Sequence, residues 1–202
     1  NKMGRTLALG TSMDDFAASL KERVREQGTM RQYTSIDTHV LAMVLRAATG
    51  RSVIDLVGEQ IVGAIGFEKA PYYLTDGVGV AFALGGLNLT TRDYARFGQM
   101  FLQHGKWYGE QIVPREWVDQ SVVPSAPEQS AREDGFGYGY QWWIPAGAKD
   151  GEFMARGIYD QYIYVNRNTN SVIVKTSANC QFREAGNSER TVAFFRALAG
   201  VE

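Results

Sequence analysis

A tyrosine placed directly before a helix is the residue of this chain best suited to chemistry. Tyr33 precedes Thr34 and Ser35, and an apolar pattern with helical spacing follows at once. A phenol ionises in water only near about pH 10, so it acts as a base at neutral pH only beside a cation. The same position also suits an aromatic side chain that packs near the first turn of a helix. Taken alone, the tyrosine leaves both interpretations open.

Composition excludes several classes of function. The formal net charge of −1 creates no general attraction for nucleic acid or an anionic membrane, so we expect neither as a partner. Cys180 is the only cysteine, which excludes an intrachain disulfide and a cysteine-based metal site. With only two histidines, we expect no histidine-rich metal site either. No apolar run approaches the ~20 residues of a membrane span. We expect a soluble protein, and its compartment, cytoplasmic or periplasmic, stays open.

Helical spacing dominates the first part of the chain. Ser12 and Ser52 each stand three residues before an aspartate, an arrangement that predicts helix starts. The helix after Tyr33 is predicted to carry apolar residues at helical spacing, namely Val40, Leu41, Val44, Leu45 and Ala48. His39 is predicted on its polar face, and His104 in the last turn of a later helix.

The second part of the chain has the spacing and composition of strands. Strands are predicted over residues 140–144, 153–158, 162–165 and 171–175. The last two flank a run of turn-forming residues, which predicts an antiparallel hairpin. A final helix is predicted from near Ser188. The fold class is therefore α+β, with a mainly helical part over 1–130 and, over 131–202, an antiparallel sheet covered by the C-terminal helix.

Several blocks occur in an order that resembles the serine β-lactamase-like hydrolases. The blocks are residues 33–41, 85–98, 141–143 and 157–161. This family includes class C β-lactamases, family VIII esterases, low-molecular-weight penicillin-binding proteins and 6-aminohexanoate-dimer hydrolases. The resemblance implies that residues 1–202 are the C-terminal portion of a single domain with the β-lactamase/transpeptidase-like fold. It also implies a serine hydrolase that cleaves an ester or amide bond, β-lactams included, through an acyl-enzyme and without a metal or cofactor.

The resemblance assigns roles to seven residues. Two are catalytic, namely Tyr33 and Ile158, and five are substrate-binding, namely Ser35, Arg156, Gly157, Tyr159 and Asp160. Tyr33 would help to shuttle the proton of the nucleophilic serine, and the backbone N–H of Ile158 would form one arm of an oxyanion hole. Ser35 stands where many relatives have asparagine, and Gly157 would let the backbone approach substrate closely.

Three of these positions leave alternatives open. Arg156 stands in a block where the family has Lys-Thr-Gly, and it either supplies the missing positive charge or is a surface residue at a strand end. Tyr159 either lines the pocket or is an exposed strand aromatic. Asp160 replaces the glycine of some relatives. Its carboxylate would oppose the developing negative charge if it faced the oxyanion hole, and would have no effect if it faced solvent.

The nucleophile of this family is missing from the sequence. It comes from a Ser-x-x-Lys motif, and no serine here has lysine three residues later. We therefore expect the motif in the N-terminal remainder of the same protein, which would be the partner of this chain beside a small ester or amide substrate. This chain alone is expected to be inactive. The alternative is a non-catalytic binding module that keeps the cleft without the chemistry.

Overall fold

The structure is a computed structural model that describes residues 4, 6, 9–23, 25–125 and 135–201. The helices bounded within these residues are α1 (Met13–Ser19), α2 (Ser35–Thr49), α3 (Val53–Val57), α4 (Gly63–Ile65), α5 (Thr91–Leu102), α6 (Arg115–Ser121) and α7 (Asn187–Leu198). A π-helical segment, Gly58–Val62, joins α3 to α4. The strands are β1 (Tyr72–Tyr73), β2 (Leu87–Asn88), β3 (Lys106–Trp107), β4 (Glu110–Gln111), β5 (Gly137–Tyr138), β6 (Trp143–Ile144), β7 (Glu152–Gly157), β8 (Gln161–Asn166) and β9 (Ser171–Lys175).

The chain divides into two compact units. Unit 1 consists of Asn1–Gln27 and Gln32–Thr90, and unit 2 of Gly28–Arg31 and Thr91–Glu202. The helical part predicted over residues 1–130 therefore contributes to both units, because α5 packs against β8 and β9 of the sheet.

Polar side chains fix two of the helix starts in unit 1. The hydroxyl of Ser12 accepts a hydrogen bond from the backbone N–H of Asp15 at 3.2 Å, and Ser52 caps α3 in the same way. Both predicted caps are confirmed, and each satisfies a donor that the first helical turn leaves unpaired. The buried carboxylate of Asp76 accepts the backbone N–H of Met13 at 2.9 Å, which fastens the start of α1 to the loop before β2.

The apolar residues predicted on α2 lie on an exposed face of unit 1. All five are exposed, namely Val40, Leu41, Val44, Leu45 and Ala48. The buried residues of α2 are instead Ile36 and His39. The predicted polar-face position of His39 is wrong, because α1 packs on that side of the helix. The imidazole is hydrogen-bonded to the Asp14 carboxylate. Periodicity identifies an apolar stripe, but the tertiary neighbours decide which stripe is covered.

Unit 2 is built on a five-stranded antiparallel sheet with the order β5-β6-β7-β8-β9. The predicted hairpin is confirmed, with β8 and β9 in register from Tyr162↔Lys175 to Asn166↔Ser171. Val192 and Phe195 of α7 pack on one face of the sheet in a buried aromatic cluster. The α+β layout, with an antiparallel sheet covered by the C-terminal helix, is confirmed.

Two local predictions in unit 2 are wrong. Only Trp143–Ile144 of the predicted strand 140–144 is a strand, since Gln141 has a left-handed φ of 67° that bends the chain before it. His104 lies beyond the end of α5 with a φ of 53°, and its Nδ1 is 2.5 Å from Asp119 Oδ1. The carboxylate, rather than the helix dipole, holds this imidazole.

Candidate active site

An open strand edge leads to the predicted site residues of unit 2. Strand β7 pairs with β8 along its whole length, from Glu152↔Asn166 to Gly157↔Gln161. Its pairing with β6, in contrast, is confined to Trp143↔Met154. Among the described residues, the last three of β7 therefore have no partner strand on the β6 side. Unpaired strand edges of this kind accept an extended segment through backbone hydrogen bonds.

A tight turn closes the end of this edge. Ile158, Tyr159 and Asp160 join β7 to β8, and both Tyr159 and Asp160 have left-handed backbones, with φ values of 59° and 71°. The backbone N–H of Ile158 comes just after the last residue pair of the two strands, Gly157↔Gln161. An added Cβ at Gly157 would meet nothing closer than Gln161, at 3.4 Å. The fold therefore leaves room beside the backbone at this point.

The carboxylate of Asp160 is turned into the fold, an arrangement that neither predicted alternative included. The residue is 4% exposed. Its Oδ2 lies 2.5 Å from Lys175 Nζ, and its Oδ1 accepts a hydrogen bond from Asn187 Nδ2 at 2.9 Å. Burial alone would raise the pKa of Asp160, but the hydrogen bonds from Lys175 and Asn187 hold that pKa below its usual value. The negative charge is thus balanced inside the protein.

The guanidinium of Arg156 is held on the α7 side of the sheet. It stacks over Phe136 and Trp143, with its central carbon 4.6 and 4.9 Å from the two ring centroids. Its Nη2 donates a hydrogen bond to Ser188 Oγ at 2.6 Å. Arg156 is therefore half-buried and packed, rather than an exposed residue at a strand end.

Tyr159 forms an aromatic pair that the sequence did not indicate. Its ring packs edge-on against Phe182, with the centroids 5.6 Å apart, while 44% of Tyr159 stays exposed. The backbone N–H of Asn179 donates to the Tyr159 carbonyl at 3.2 Å. The loop after β9 therefore braces the turn from outside the hairpin. Tyr159 is therefore a partly exposed turn residue packed on Phe182, and its role in lining a pocket stays a prediction.

Tyr33 and Ser35 belong to unit 1, and the other five predicted site residues to unit 2. Tyr33 lies two residues before α2, as predicted, and is 45% exposed. Thr34 is the N-cap residue with an extended backbone, and Ser35 is the first residue of the helix. A rigid 15-residue helix therefore fixes the direction of the chain next to this tyrosine.

Unit 1 also has a polar cluster around Asp14, which contains none of the predicted substrate-binding or catalytic residues. Asp14 accepts hydrogen bonds from His39 and Arg46 beside a shallow cavity of ≈ 150 Å³. Burial by itself would raise the pKa of Asp14, but these two partners hold that pKa below its usual value.

The described part of the chain offers no group of three His, Cys, Asp or Glu side chains that could hold a metal ion. In the same residues, no helix has the length and apolar character needed to cross a bilayer.

Residues 6–193 match the Beta-lactamase family, so the chain belongs to that family. It is 31% identical over 154 residues to a 6-aminohexanoate-dimer hydrolase of Paenarthrobacter ureafaciens, which covers 73% of this chain and 39% of the relative. The chain therefore spans well under half the length of that curated relative.

Solved structures agree with this assignment. A candidate 6-aminohexanoate-dimer hydrolase from Bacillus anthracis superimposes with a TM-score of 0.84 at 29% identity, over 98% of this chain and 54% of that protein. A penicillin-binding protein from Bacillus halodurans superimposes with a TM-score of 0.66 at 14% identity, over 94% of this chain and 63% of that protein. At that identity the second match shows the fold alone. The predicted family and the β-lactamase/transpeptidase-like fold are confirmed.

Proposed function

We propose that the protein containing this chain is a serine hydrolase that cleaves an ester or amide bond, β-lactams included, through an acyl-enzyme. The observation that carries the proposal is the open edge of β7 that ends in the Ile158 turn. An extended acyl group laid along Ala155–Gly157 would reach the turn with its carbonyl oxygen near Ile158. The backbone N–H of Ile158 is our proposed oxyanion donor, since such a donor must point to where the negative charge develops.

The proposed reaction has two halves. A serine hydroxyl attacks the acyl carbonyl, and its proton passes to the lysine and Tyr33 pair. The tetrahedral oxyanion is held by the Ile158 N–H, and its collapse expels the alcohol or amine, which takes up that proton. Water then attacks the acyl-enzyme, releases the carboxylic acid and restores the serine.

We propose that the serine and lysine come from an N-terminal remainder of the same protein, which would make this chain inactive alone. The chain covers only part of each relative named above, which supports this proposal. Unit 1 adds a second reason. The side chains of Val40, Leu41, Val44 and Leu45 on α2 are 41 to 57% exposed. A contiguous apolar stripe of this kind favours coverage by further protein.

A matched pair of tyrosine variants of the full-length protein tests the function. Tyr33→Phe removes only the hydroxyl that transfers the proton, and loss of a general acid–base group costs roughly 10²–10⁴ in rate. We expect acylation by a nitrophenyl ester to slow by about 100-fold or more. Tyr108→Phe is the control, because Tyr108 is 92% exposed in the turn between β3 and β4. Equal acylation rates in the two variants would contradict the proposal.

The second candidate is a non-catalytic binding module with the same cleft. The packing of Arg156 against Phe136, Trp143 and Ser188 favours it, because a guanidinium held there is not free to supply the positive charge of the family's lysine. The same nitrophenyl ester assay separates the two candidates. A hydrolase gives a burst of nitrophenol equal to the enzyme concentration, whereas a binding module gives none.

A further inference from the structure

The turn that carries the proposed oxyanion donor is strained. Two successive non-glycine residues, Tyr159 and Asp160, have φ values of 59° and 71°. L-residues avoid this region because Cβ approaches the following carbonyl oxygen, and only asparagine and aspartate visit it with some ease. The tyrosine at this position therefore needs support from its surroundings. Strained backbone of this kind persists only where neighbouring contacts over-determine it.

The support comes from a cluster that we call the Asp160 clamp, formed by Asp160, Lys175, Asn179 and Asn187. The carboxylate accepts a hydrogen bond from Lys175 Nζ, on β9, at 2.5 Å. It accepts a second from the side chain of Asn187, the first residue of α7, at 2.9 Å. The backbone N–H of Asn179, in the loop after β9, donates a hydrogen bond to the Tyr159 carbonyl at 3.2 Å. Three segments outside the hairpin thus fix two adjacent residues of the turn.

A buried carboxylate is a costly way to close a hairpin, because its removal from water is repaid only where it is well hydrogen-bonded and paired with a cation. Here the cation is Lys175, whose side chain is 35% exposed. Hairpin turns with two left-handed residues are also usually built from Asn-Gly or Gly-Gly, without any clamp. The clamp gives something that these alternatives lack, which is a single fixed direction for the backbone at Ile158.

We propose that Asp160 is a positioning residue that, through the clamp, aims the Ile158 N–H at the oxyanion. This inference rests on the proposed function of the Ile158 N–H. It also explains how a carboxylate can lie two residues from an oxyanion donor. Lys175 neutralises the charge at 2.5 Å, so the carboxylate does not oppose the negative charge of the transition state.

Asp160→Ala in the full-length protein tests the inference against a matched control. Removal of an oxyanion donor costs about 10²–10³ in rate, so a misaligned donor should cost about 10- to 100-fold. We expect the acylation rate to fall by that factor while KM for a nitrophenyl ester changes less than about twofold, because the donor acts in the transition state. Affinity for a tetrahedral boronic acid should fall by the same factor as kcat/KM.

The control is Glu152→Gln at the other end of β7. Glu152 is equally buried, at 3% exposure, and is ion-paired with Arg196 at 2.7 Å, so its loss also destabilises unit 2. It lies five residues before Gly157 and does not contact the turn. We expect a lower Tm with unchanged acylation rate and boronate affinity. If Asp160→Ala also lowers only the Tm, the clamp has no role in positioning and the inference is overturned.

Asp160→Asn keeps the proposal testable if the alanine variant does not fold. Asparagine tolerates the left-handed backbone and retains the Oδ1 acceptor for Asn187, but it leaves Lys175 without its counterion. We expect a smaller fall in acylation rate, again with KM unchanged, and an unchanged rate overturns the inference. A wild-type protein that no nitrophenyl ester acylates would instead refute the proposed function, and the role of the clamp with it.

Discussion

Gly98 is a position where the packing of a helix on the sheet determines the sign of a stability change. It lies in the interior of α5, where the helix crosses β8 and β9. A Cβ added to Gly98 would lie 2.8 Å from Ile163 Cγ2 and 2.8 Å from Val172 Cγ1. Both neighbours are β-branched and are part of the sheet, so neither can swing aside. Gly98→Ala should therefore force α5 away from the sheet.

The size of the effect follows from two opposing contributions. Alanine is favoured over glycine in a helix interior by about 1 kcal/mol. Overpacking a well-filled contact costs about 1–3 kcal/mol, and because two methyl groups are affected here we take the upper part of that range, about 2–3 kcal/mol. We expect the free energy of unfolding to fall by about 1–2 kcal/mol, which for a protein of this size lowers the Tm by roughly 2–8 °C.

Urea unfolding of Gly98→Ala, Gly58→Ala and Val172→Ala is the assay. At Gly58, in the π-helical segment, an added Cβ meets nothing within 4 Å, so the same substitution should be neutral or stabilising. Combining Gly98→Ala with Val172→Ala removes one of the two clashes, and the pair should couple favourably by at least ~0.5 kcal/mol. An increase in stability for Gly98→Ala, or strict additivity of the pair, would refute this reasoning.

Two further predictions concern pH. Burial raises the pKa of Tyr164 to about 12, so the folded protein favours the neutral phenol. The free energy of unfolding should therefore fall as the pH rises from about 10 to about 12, by up to ~2–3 kcal/mol. Tyr164→Phe should flatten this slope in urea unfolding, and an unchanged slope would contradict the assignment. The pKa of Asp14 is lowered, so its stabilising effect is present above its ordinary pKa and lost at lower pH. Arg46→Met should move acid unfolding of unit 1, followed by circular dichroism, to higher pH; an unchanged midpoint would show that the ion pair contributes nothing.

Local patterns in the sequence predicted the parts of the fold that local forces determine. Ser12 and Ser52 cap helices because their hydroxyls bond backbone three residues away. The β8–β9 hairpin follows from two strand-forming runs on either side of a turn-forming run. The exposed stripe on α2 could not be predicted in the same way, because the same periodicity suits any buried face and the covering neighbour lies elsewhere in the sequence.

The contacts that hold the candidate site in place also could not be predicted from local sequence patterns. Lys175 and Asn187 are 15 and 27 residues away from Asp160, and only the packing of β9 and α7 brings them to its carboxylate. From the sequence, Asp160 could only be placed in the oxyanion hole or in solvent. The only signal in the sequence was that the residue is an aspartate, because a buried carboxylate requires a hydrogen-bonding or ionic partner. Arg156 is similar, because its stacking depends on Phe136, which lies 20 positions earlier in the printed sequence.

The identity of the nucleophile tests the central claim most directly. The full-length protein should be treated with a fluorophosphonate, digested and mapped by mass spectrometry. We predict one covalent adduct, on a serine that is followed three residues later by lysine and lies outside residues 1–202. No adduct at all, or an adduct on one of the serines within residues 1–202, would contradict the claim that this chain supplies the proton-transfer tyrosine and the oxyanion donor to a nucleophile located elsewhere in the protein.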